Sequence, residues 1–193
     1  MAVFSFSLML LLVTAPAISG YFISEPQKVI KYIGSEIYPY TGDSGNELSA
    51  GALSRIEEYL YWGRRIQSFN PALTAHDVFE SGKAVIRYSR AYSLSPQLIV
   101  AIIKVESNGN HRAVSPKGAR GLMQVMPWWP KELGIDGDLF SIDTNIRIGS
   151  HILSENIRKF GKKEGILRYY RGNIRTKDER YYVKVQEAMA KLS

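Results

Sequence analysis

The stretch that decides the fold is Pro96-Gln97-Leu98-Ile99-Val100-Ala101-Ile102-Ile103-Lys104-Val105-Glu106. It is too apolar to form a surface helix, so it predicts a helix buried in the core. Ser95 is a typical N-cap, and the Pro that follows it suits the first helical position. Asn108-Gly109-Asn110 predicts the end of the helix. The sequence therefore predicts a central apolar helix that carries a carboxyl group in its last turn.

The carboxyl group of Glu106 is the first candidate for chemistry. Helical spacing places it above three isoleucines of the same face, and it lies at the negative end of the helix dipole. Both effects disfavour the ionised form and raise the pKa, so Glu106 is predicted to be a proton donor. The pattern leaves open a Glu106 that projects into solvent. Lys104, Arg112 and Arg120 would lower its pKa if they point toward it.

Helical periodicity also dominates the rest of the chain from residue 52 onward, and no segment alternates as a strand does. The sequence therefore predicts an all-α fold. Besides the central helix, the predicted helices are one from Leu53 to the break at Asn70-Pro71, one that begins between Thr74 and Asp77, a short one from Gly118 to Met126 closed by Pro127, one capped by Asp143 and ended by Gly161, one over Ile166 to Tyr170, and one over Asp178 to Leu192.

The N-terminal region differs in kind from this domain. Residues 3–13 are apolar and uncharged, and Ala15-Pro16-Ala17 is typical of a cleavage site, so residues 1–19 are predicted to be a secretory signal peptide. No Lys or Arg precedes the apolar core, and an uncleaved anchor or a buried helix stays open. Residues 20–51 are predicted to be a linker or tether and residues 52–193 the folded domain, with no stable membrane span after processing.

Composition narrows the partners and the cofactors. The 193-residue chain has a formal net charge of +7, which favours polyanionic partners, but its Lys and Arg are scattered and predict no arm for nucleic acid. Cys is absent, which excludes disulfides, thiol nucleophiles and thiolate metal sites. His76, His111 and His151 lie far apart in sequence, so neither a metal site nor a cofactor is expected.

Four motifs in order carry a family resemblance. They are Glu106-Ser107, Gly118-Ala119-Arg120-Gly121-Leu122-Met123-Gln124 with Met126-Pro127, Asn145-Ile146-Arg147-Ile148-Gly149, and Tyr169 with Gly172. With them the chain resembles the lytic transglycosylases of the soluble (SLT) type, in the lysozyme-like superfamily that cuts peptidoglycan. The resemblance runs from about residue 81 to residue 182. It departs from the family pattern at Tyr170 and Arg171, where Asn and Ala are usual.

The resemblance implies a lysozyme-like, goose-type helical domain with Glu106 as its catalytic residue. It also implies that Ser115, Met123 and Gln124 line the sugar-binding cleft and that the Tyr169 hydroxyl lies near the catalytic carboxyl. Ser and Gln would give neutral hydrogen bonds to the sugar, and Met an adaptable apolar wall. Core packing stays open for Met123 and Tyr169. The pair Trp128-Trp129 either stacks on a sugar or fills the core, and the other tyrosines, Tyr181 among them, are explained as packing.

The implied activity is cleavage of the β-1,4 bond between N-acetylmuramic acid and N-acetylglucosamine, with formation of 1,6-anhydro ends and no cofactor. Ordinary glycosidases use two carboxylates, but loop and cap positions already account for Asp136, Asp138 and Asp143. A hydrolytic goose-type lysozyme and a non-catalytic wall-binding module stay open. The implied partners are peptidoglycan strands in the periplasm and, by analogy, a secretion, conjugation or flagellar complex for which the wall is opened.

Overall fold

The computed structural model of the protein describes residues 50–174 and 177–192. The predicted signal peptide, residues 1–19, and residues 20–49 of the predicted linker lie outside the described residues. The prediction of an all-α fold is confirmed for the described ranges, which contain isolated β-bridges but no strand. The helices are α1 (Ala50–Gln67), α2 (Ala75–Ala91), α3 (Pro96–Ser107), α4 (Trp129–Leu133), α5 (Ile142–Phe160), α6 (Lys162–Arg171) and α7 (Arg180–Ala190).

Glycines let α1 and α2 pack closely. A Cβ atom on Gly63 would lie 1.9 Å from the carbonyl oxygen of Val78, and one on Gly82 would lie 1.7 Å from that of Tyr59. Any side chain at either position would force the helices apart. The two helices therefore form a tight pair against which the apolar α3 packs.

The central helix α3 forms as the sequence predicts. The Ser95 hydroxyl accepts a hydrogen bond from the backbone N–H of Leu98, and Asn108 ends the helix in the left-handed conformation with φ +52°. Every residue from Leu98 to Ile103 is buried. Helix α7 also packs on α3, and its Tyr181 side chain reaches the end of α3 that carries Glu106.

The prediction of a helix over residues 118–126 is wrong. Arg120 pairs in isolated bridges with both Val114 and Val125, so the segment folds back on itself. Gly118, Gly121 and Gln124 have φ values of +85°, +76° and +51°, which an α-helix does not accommodate. The segment is instead a tight turn supported by backbone hydrogen bonds, and the short helix α4 begins only after it. We refer to residues 113–125 as the site loop.

The start of α5 also differs from its prediction. Ser141, and not Asp143, occupies the N-cap position. The Asp143 carboxylate is used elsewhere, since it accepts a 2.7 Å hydrogen bond from the Tyr88 hydroxyl on α2. That bond ties α5 to α2. Within residues 50–174 and 177–192, no helix is both long enough and apolar enough to cross a bilayer.

Candidate active site

Glu106 lies in the last turn of α3, with its carboxyl group largely removed from water. Burial raises its pKa to about 7, and a hydrogen bond from the Tyr181 hydroxyl, 2.5 Å from Oε1, partly opposes that rise. The predicted rise in pKa is thus confirmed. Of the three cations that could lower the pKa, Lys104 bonds to the side chain of Asn108.

Tyr181 contacts Glu106, a pairing that the sequence pattern does not predict. Its ring is packed in the core, as expected, with only 7% of the residue exposed, and its hydroxyl donates to the carboxyl group. Burial, followed by the nearby negative charge of Glu106, holds the pKa of Tyr181 well above its usual value. The tyrosine is therefore a neutral donor. A phenol on the apolar face of a helix indicates a buried hydroxyl that needs a partner, but spacing does not identify the partner.

Tyr169 lies near Glu106 as the resemblance implies, since burial and then the charge of Glu106 raise its pKa well above the usual value. Its hydroxyl does not contact the carboxyl group. It donates a 2.7 Å hydrogen bond to the backbone carbonyl of Met123 in the site loop. Tyr169 thus connects α6 to the site loop beside Glu106.

Two further polar side chains hold the site loop in place. The Ser107 hydroxyl donates to the Leu122 carbonyl at 2.7 Å, which ties the end of α3 to the loop. The Asn145 amide is buried and makes three bonds: its oxygen accepts from the Met123 N–H at 2.7 Å, and its nitrogen donates to the carbonyls of Arg120 and Leu139, both at 2.8 Å. Ser107 of the Glu-Ser motif and Asn145 of the Asn-Ile-Arg motif thus fix the site loop to α3 and α5.

Met123 is fully buried, so its side chain does not face an open cleft. Its thioether packs against Ser150, and a Cβ atom on Gly149 would lie only 2.7 Å from both its Cβ and its Sδ. That Gly149 atom would also lie 3.0 Å from the Tyr169 hydroxyl. The packing alternative therefore describes the Met123 side chain in this structure, and a direct sugar contact would require it to move.

Gln124 and Ser115 are half-buried residues of the site loop. The Gln124 amide nitrogen donates to the carbonyls of Ala113 and Gly121, which orients the side chain along the loop. The Ser115 hydroxyl accepts from the Ala119 N–H at 3.0 Å and still has its own proton to donate. No contact of Ser115 with Glu106 occurs among the described residues. The loop thus brings Gln124 next to Met123 and places Ser115 further along.

The tryptophan pair is divided between solvent and core. Trp128 is 52% exposed, whereas Trp129 is partly buried against the core cluster. Asp136 and Asp138 are exposed, and Asp143 accepts from the Tyr88 hydroxyl. The described ranges contain no group of three or more His, Asp and Glu side chains arranged to hold a metal ion.

A separate surface hollow of about 280 Å³ contains none of the predicted site residues. Its titratable groups already have structural contacts: Asp77 closes the capping box of α2 with Thr74, and Asp143 accepts from Tyr88. The Nδ1 atom of His111 lies 4.0 Å from the Asp77 carboxylate. We therefore place the candidate site at Glu106, where burial and a neutral donor change the chemistry of a carboxyl group, and not at this hollow.

Comparison with known proteins gives a consistent set of matches. The sequence model of the transglycosylase SLT domain family matches residues 83–190, more than half of the chain. A transglycosylase of enterobacteria phage PRD1 is 38% identical over 84 residues, which are 44% of this chain and 31% of the phage protein. The membrane-bound lytic murein transglycosylase E of Buchnera aphidicola is 38% identical over 100 residues, 45% of this chain and 47% of that protein.

Other matches cover still smaller parts of larger proteins. The soluble lytic murein transglycosylase of Salmonella typhimurium is 37% identical over 84 residues, 39% of this chain and 13% of that protein. An X-ray structure of an inactive mutant of the lytic transglycosylase Slt from Pseudomonas aeruginosa gives a TM-score of 0.46 at 21% identity, over 69% of this chain and 27% of the other. The chain thus spans less than half the length of each of these relatives.

Proposed function

The chain belongs to the transglycosylase SLT domain family, and from this premise we propose that it is a peptidoglycan lytic transglycosylase in which Glu106 is both acid and base. The observation that carries the proposal is the state of the Glu106 carboxyl group, whose pKa burial raises to about 7. A group with that pKa is part protonated and part ionised near neutral pH, as a residue that gives and then takes a proton requires. The relatives named murein transglycosylases supply the substrate class.

The reaction needs one carboxyl group and no water. Protonated Glu106 gives its proton to the oxygen that joins N-acetylmuramic acid to N-acetylglucosamine, and the bond from that oxygen to C1 breaks. The acetamide of the N-acetylmuramic acid stabilises the positive charge at C1 of that sugar. Ionised Glu106 then takes the proton of the 6-hydroxyl of the same N-acetylmuramic acid, and the 6-oxygen bonds to C1. The product is a 1,6-anhydro sugar, and Glu106 is protonated again.

The contacts of Glu106 suit this cycle. Tyr181 holds the carboxyl group through a neutral hydroxyl, which orients it without the strong fall in pKa that a cation would cause. We propose that the half-buried Gln124 and Ser115 bind hydroxyl and acetamide groups of the sugar, and that Tyr169 and the buried Met123 support the wall of the cleft. These roles rest on the resemblance and on the position of the site loop beside Glu106.

The test is digestion of purified sacculi by the wild-type protein and by Glu106→Gln, followed by mass spectrometry of the fragments. We expect anhydro ends from the wild type and no fragments from the variant, whose amide is nearly isosteric with the carboxyl group but gives no proton. Fragments heavier by one water would identify a hydrolytic, goose-type lysozyme instead. Glycan binding without cleavage at any pH would identify a wall-binding module.

We further propose that the protein acts in the periplasm, where its substrate lies, after export directed by residues 1–19. Local opening of the wall for a secretion, conjugation or flagellar complex is the proposed role of that cut. Cell fractionation and N-terminal sequencing of the mature protein test the location. Retention of the full-length chain in the cytoplasm would contradict it.

A further inference from the structure

Tyr170 is an exposed residue whose ring contacts Tyr181, the hydrogen-bond partner of Glu106. It follows Tyr169 on α6, and consecutive helical residues point about 100° apart. Tyr169 donates to the site loop, whereas the ring of Tyr170 turns toward α7 and stacks on the ring of Tyr181. The two neighbours on α6 thus reach two different parts of the same site.

The stack is well defined. The centroids of the Tyr170 and Tyr181 rings lie 4.5 Å apart, and the ring planes meet at 10°. Tyr181 is 7% exposed, whereas Tyr170 is 66% exposed. One face of the Tyr170 ring is therefore covered by Tyr181, and much of the remaining ring surface is open to water. Tyr170 thus stacks on the tyrosine whose hydroxyl bonds to the Glu106 carboxyl group.

The two departures from the family pattern have different structural roles. Arg171 directs its guanidinium group to both carboxylate oxygens of Glu164, at 2.9 and 2.8 Å, and so belongs to an ion cluster of α6. Tyr170 instead places its ring against the ring of Tyr181. Tyr170 is thus the departure that alters the surface next to the candidate acid.

An exposed tyrosine ring held flat beside a sugar-cleaving group is chemically suited to a pyranose. The C–H groups on one face of a pyranose pack against aromatic rings, and binding sites for small ligands combine such rings with a few polar groups. The ring is already ordered by Tyr181, so less conformational entropy is lost when a ligand covers it. A free side chain on a helix surface would lack that advantage.

We propose that Tyr170 is a specificity-determining residue that stacks on an N-acetylated pyranose ring of the glycan strand beside the Tyr181–Glu106 pair. This inference rests on the proposed function, because it takes the substrate class from there. Tyr170 acts by contact with the sugar and not by changing the acid. Its removal therefore weakens glycan binding and leaves the titration of Glu106 unchanged.

The experiment measures binding of the β-1,4-linked tetramer of N-acetylglucosamine by calorimetry to the full chain carrying Glu106→Gln, which prevents turnover. In that background we compare Tyr170→Ala, Tyr170→Phe and Tyr170→Asn. We expect Ala and Asn to weaken binding about three- to tenfold, and Phe, which keeps the ring, to bind within about twofold of Tyr. Circular dichroism and thermal unfolding verify that each variant folds.

Three results would overturn the inference. The first is unchanged binding in Tyr170→Ala, and the second is no measurable binding by the Glu106→Gln protein at the highest soluble tetramer concentration. The third is a shifted pH profile of sacculus digestion in Tyr170→Ala without weaker binding, which would make Tyr170 a positioning residue for Tyr181. If the wild type cleaves nothing and Tyr170→Ala still weakens binding, the proposed enzymatic function fails while the sugar contact stands.

Discussion

Glu106 at the end of α3 and Glu164 in the first turn of α6 are the same side chain in opposite electrostatic states. Glu106 is largely buried and bonded to a neutral hydroxyl, and its pKa rises to about 7. Glu164 lies at the surface between Arg171 and Arg168, with bonds of 2.8 to 2.9 Å, and these guanidinium groups lower its pKa. Access to water and the charge of the partner, not the residue type, thus decide which carboxyl group holds a proton near neutral pH.

The largest expected effect of this difference is on cleavage. Glu106→Gln should reduce sacculus digestion by about 10²- to 10⁴-fold, the range that general acid–base catalysis contributes. Glu164→Gln is the matched control and should leave digestion nearly unchanged, because Glu164 makes its contacts with the two arginines of its own helix. Release of soluble fragments from labelled sacculi measures both. Equal losses in the two variants would remove the distinction between the two carboxyl groups.

The next effect is on stability, where the two residues should have opposite pH dependences. The folded protein holds the Glu106 proton from its ordinary pKa of 4.5 up to about 7, so the unfolding free energy falls as pH rises through that window. The shift corresponds to up to about 3 kcal/mol. Residue 106 does not titrate in Glu106→Gln. The free energy of unfolding of this variant, relative to the wild type, should therefore rise by that amount between about pH 4.5 and about pH 8. Urea unfolding at several pH values measures the difference.

For Glu164 the pH dependence of the free energy of unfolding has the opposite sign. Its folded pKa is lowered, so the stabilisation is present above the ordinary pKa and is lost as pH falls through the folded value. The difference in stability between wild type and Glu164→Gln should therefore shrink in acid. A Glu106→Gln protein that loses stability relative to wild type on going from about pH 5 to about pH 8 would contradict the burial argument.

The third effect concerns the neutral donor. Tyr181→Phe removes the hydrogen bond that favours ionised Glu106, so the pKa of Glu106 should rise further. The alkaline limb of the pH–rate profile should move to higher pH with it. Tyr182→Phe is the control, because Tyr182 contacts Lys163 through its ring face. A shift of the limb to lower pH in Tyr181→Phe would show that the hydroxyl does not stabilise the carboxylate.

The smallest effect lies in the ion cluster of α6. Glu164→Gln should lower the midpoint of thermal unfolding by about 2 °C or less, because exposed ion pairs contribute little. The difference should disappear in about 1 M salt, which screens exposed charges. Thermal unfolding followed by circular dichroism at low and high salt measures both values. A large decrease that persists in high salt would mean that Glu164 supports the fold in another way.

The sequence predicted α3 well because residues adjacent in sequence determine where this helix begins and ends. Ser95, Pro96 and Asn108 bound α3 as expected, and its run of buried residues placed Glu106 at a dry helix end. These features depend on neighbours in sequence: a cap, a proline and a left-handed residue. The raised pKa followed from them because burial, its main cause, was readable from the apolar run.

Contacts between distant segments were not predictable in the same way. The spacing that places Tyr181 on the apolar face of α7 is equally typical of core packing, and nothing local states that α7 meets the end of α3. The composition of residues 118–126 permits the helix predicted there, whereas bridges to Arg120 and positive φ at Gln124 require a turn. Tertiary pairing overrode local propensity there.

The three hydrogen bonds of Asn145 also bear on which mutations the protein tolerates. Aspartate has almost the same shape as asparagine, yet at this position it would set a carboxylate against the carbonyl oxygens of Arg120 and Leu139, with no proton to give either. The change replaces one NH2 donor by an oxygen. Because Asn145 is buried, water does not supply the missing donor. Deamidation of this one side chain would therefore keep the bond from the Met123 N–H but remove the bond to Arg120, and so weaken the link between the site loop and α5 without altering any residue proposed to touch the glycan.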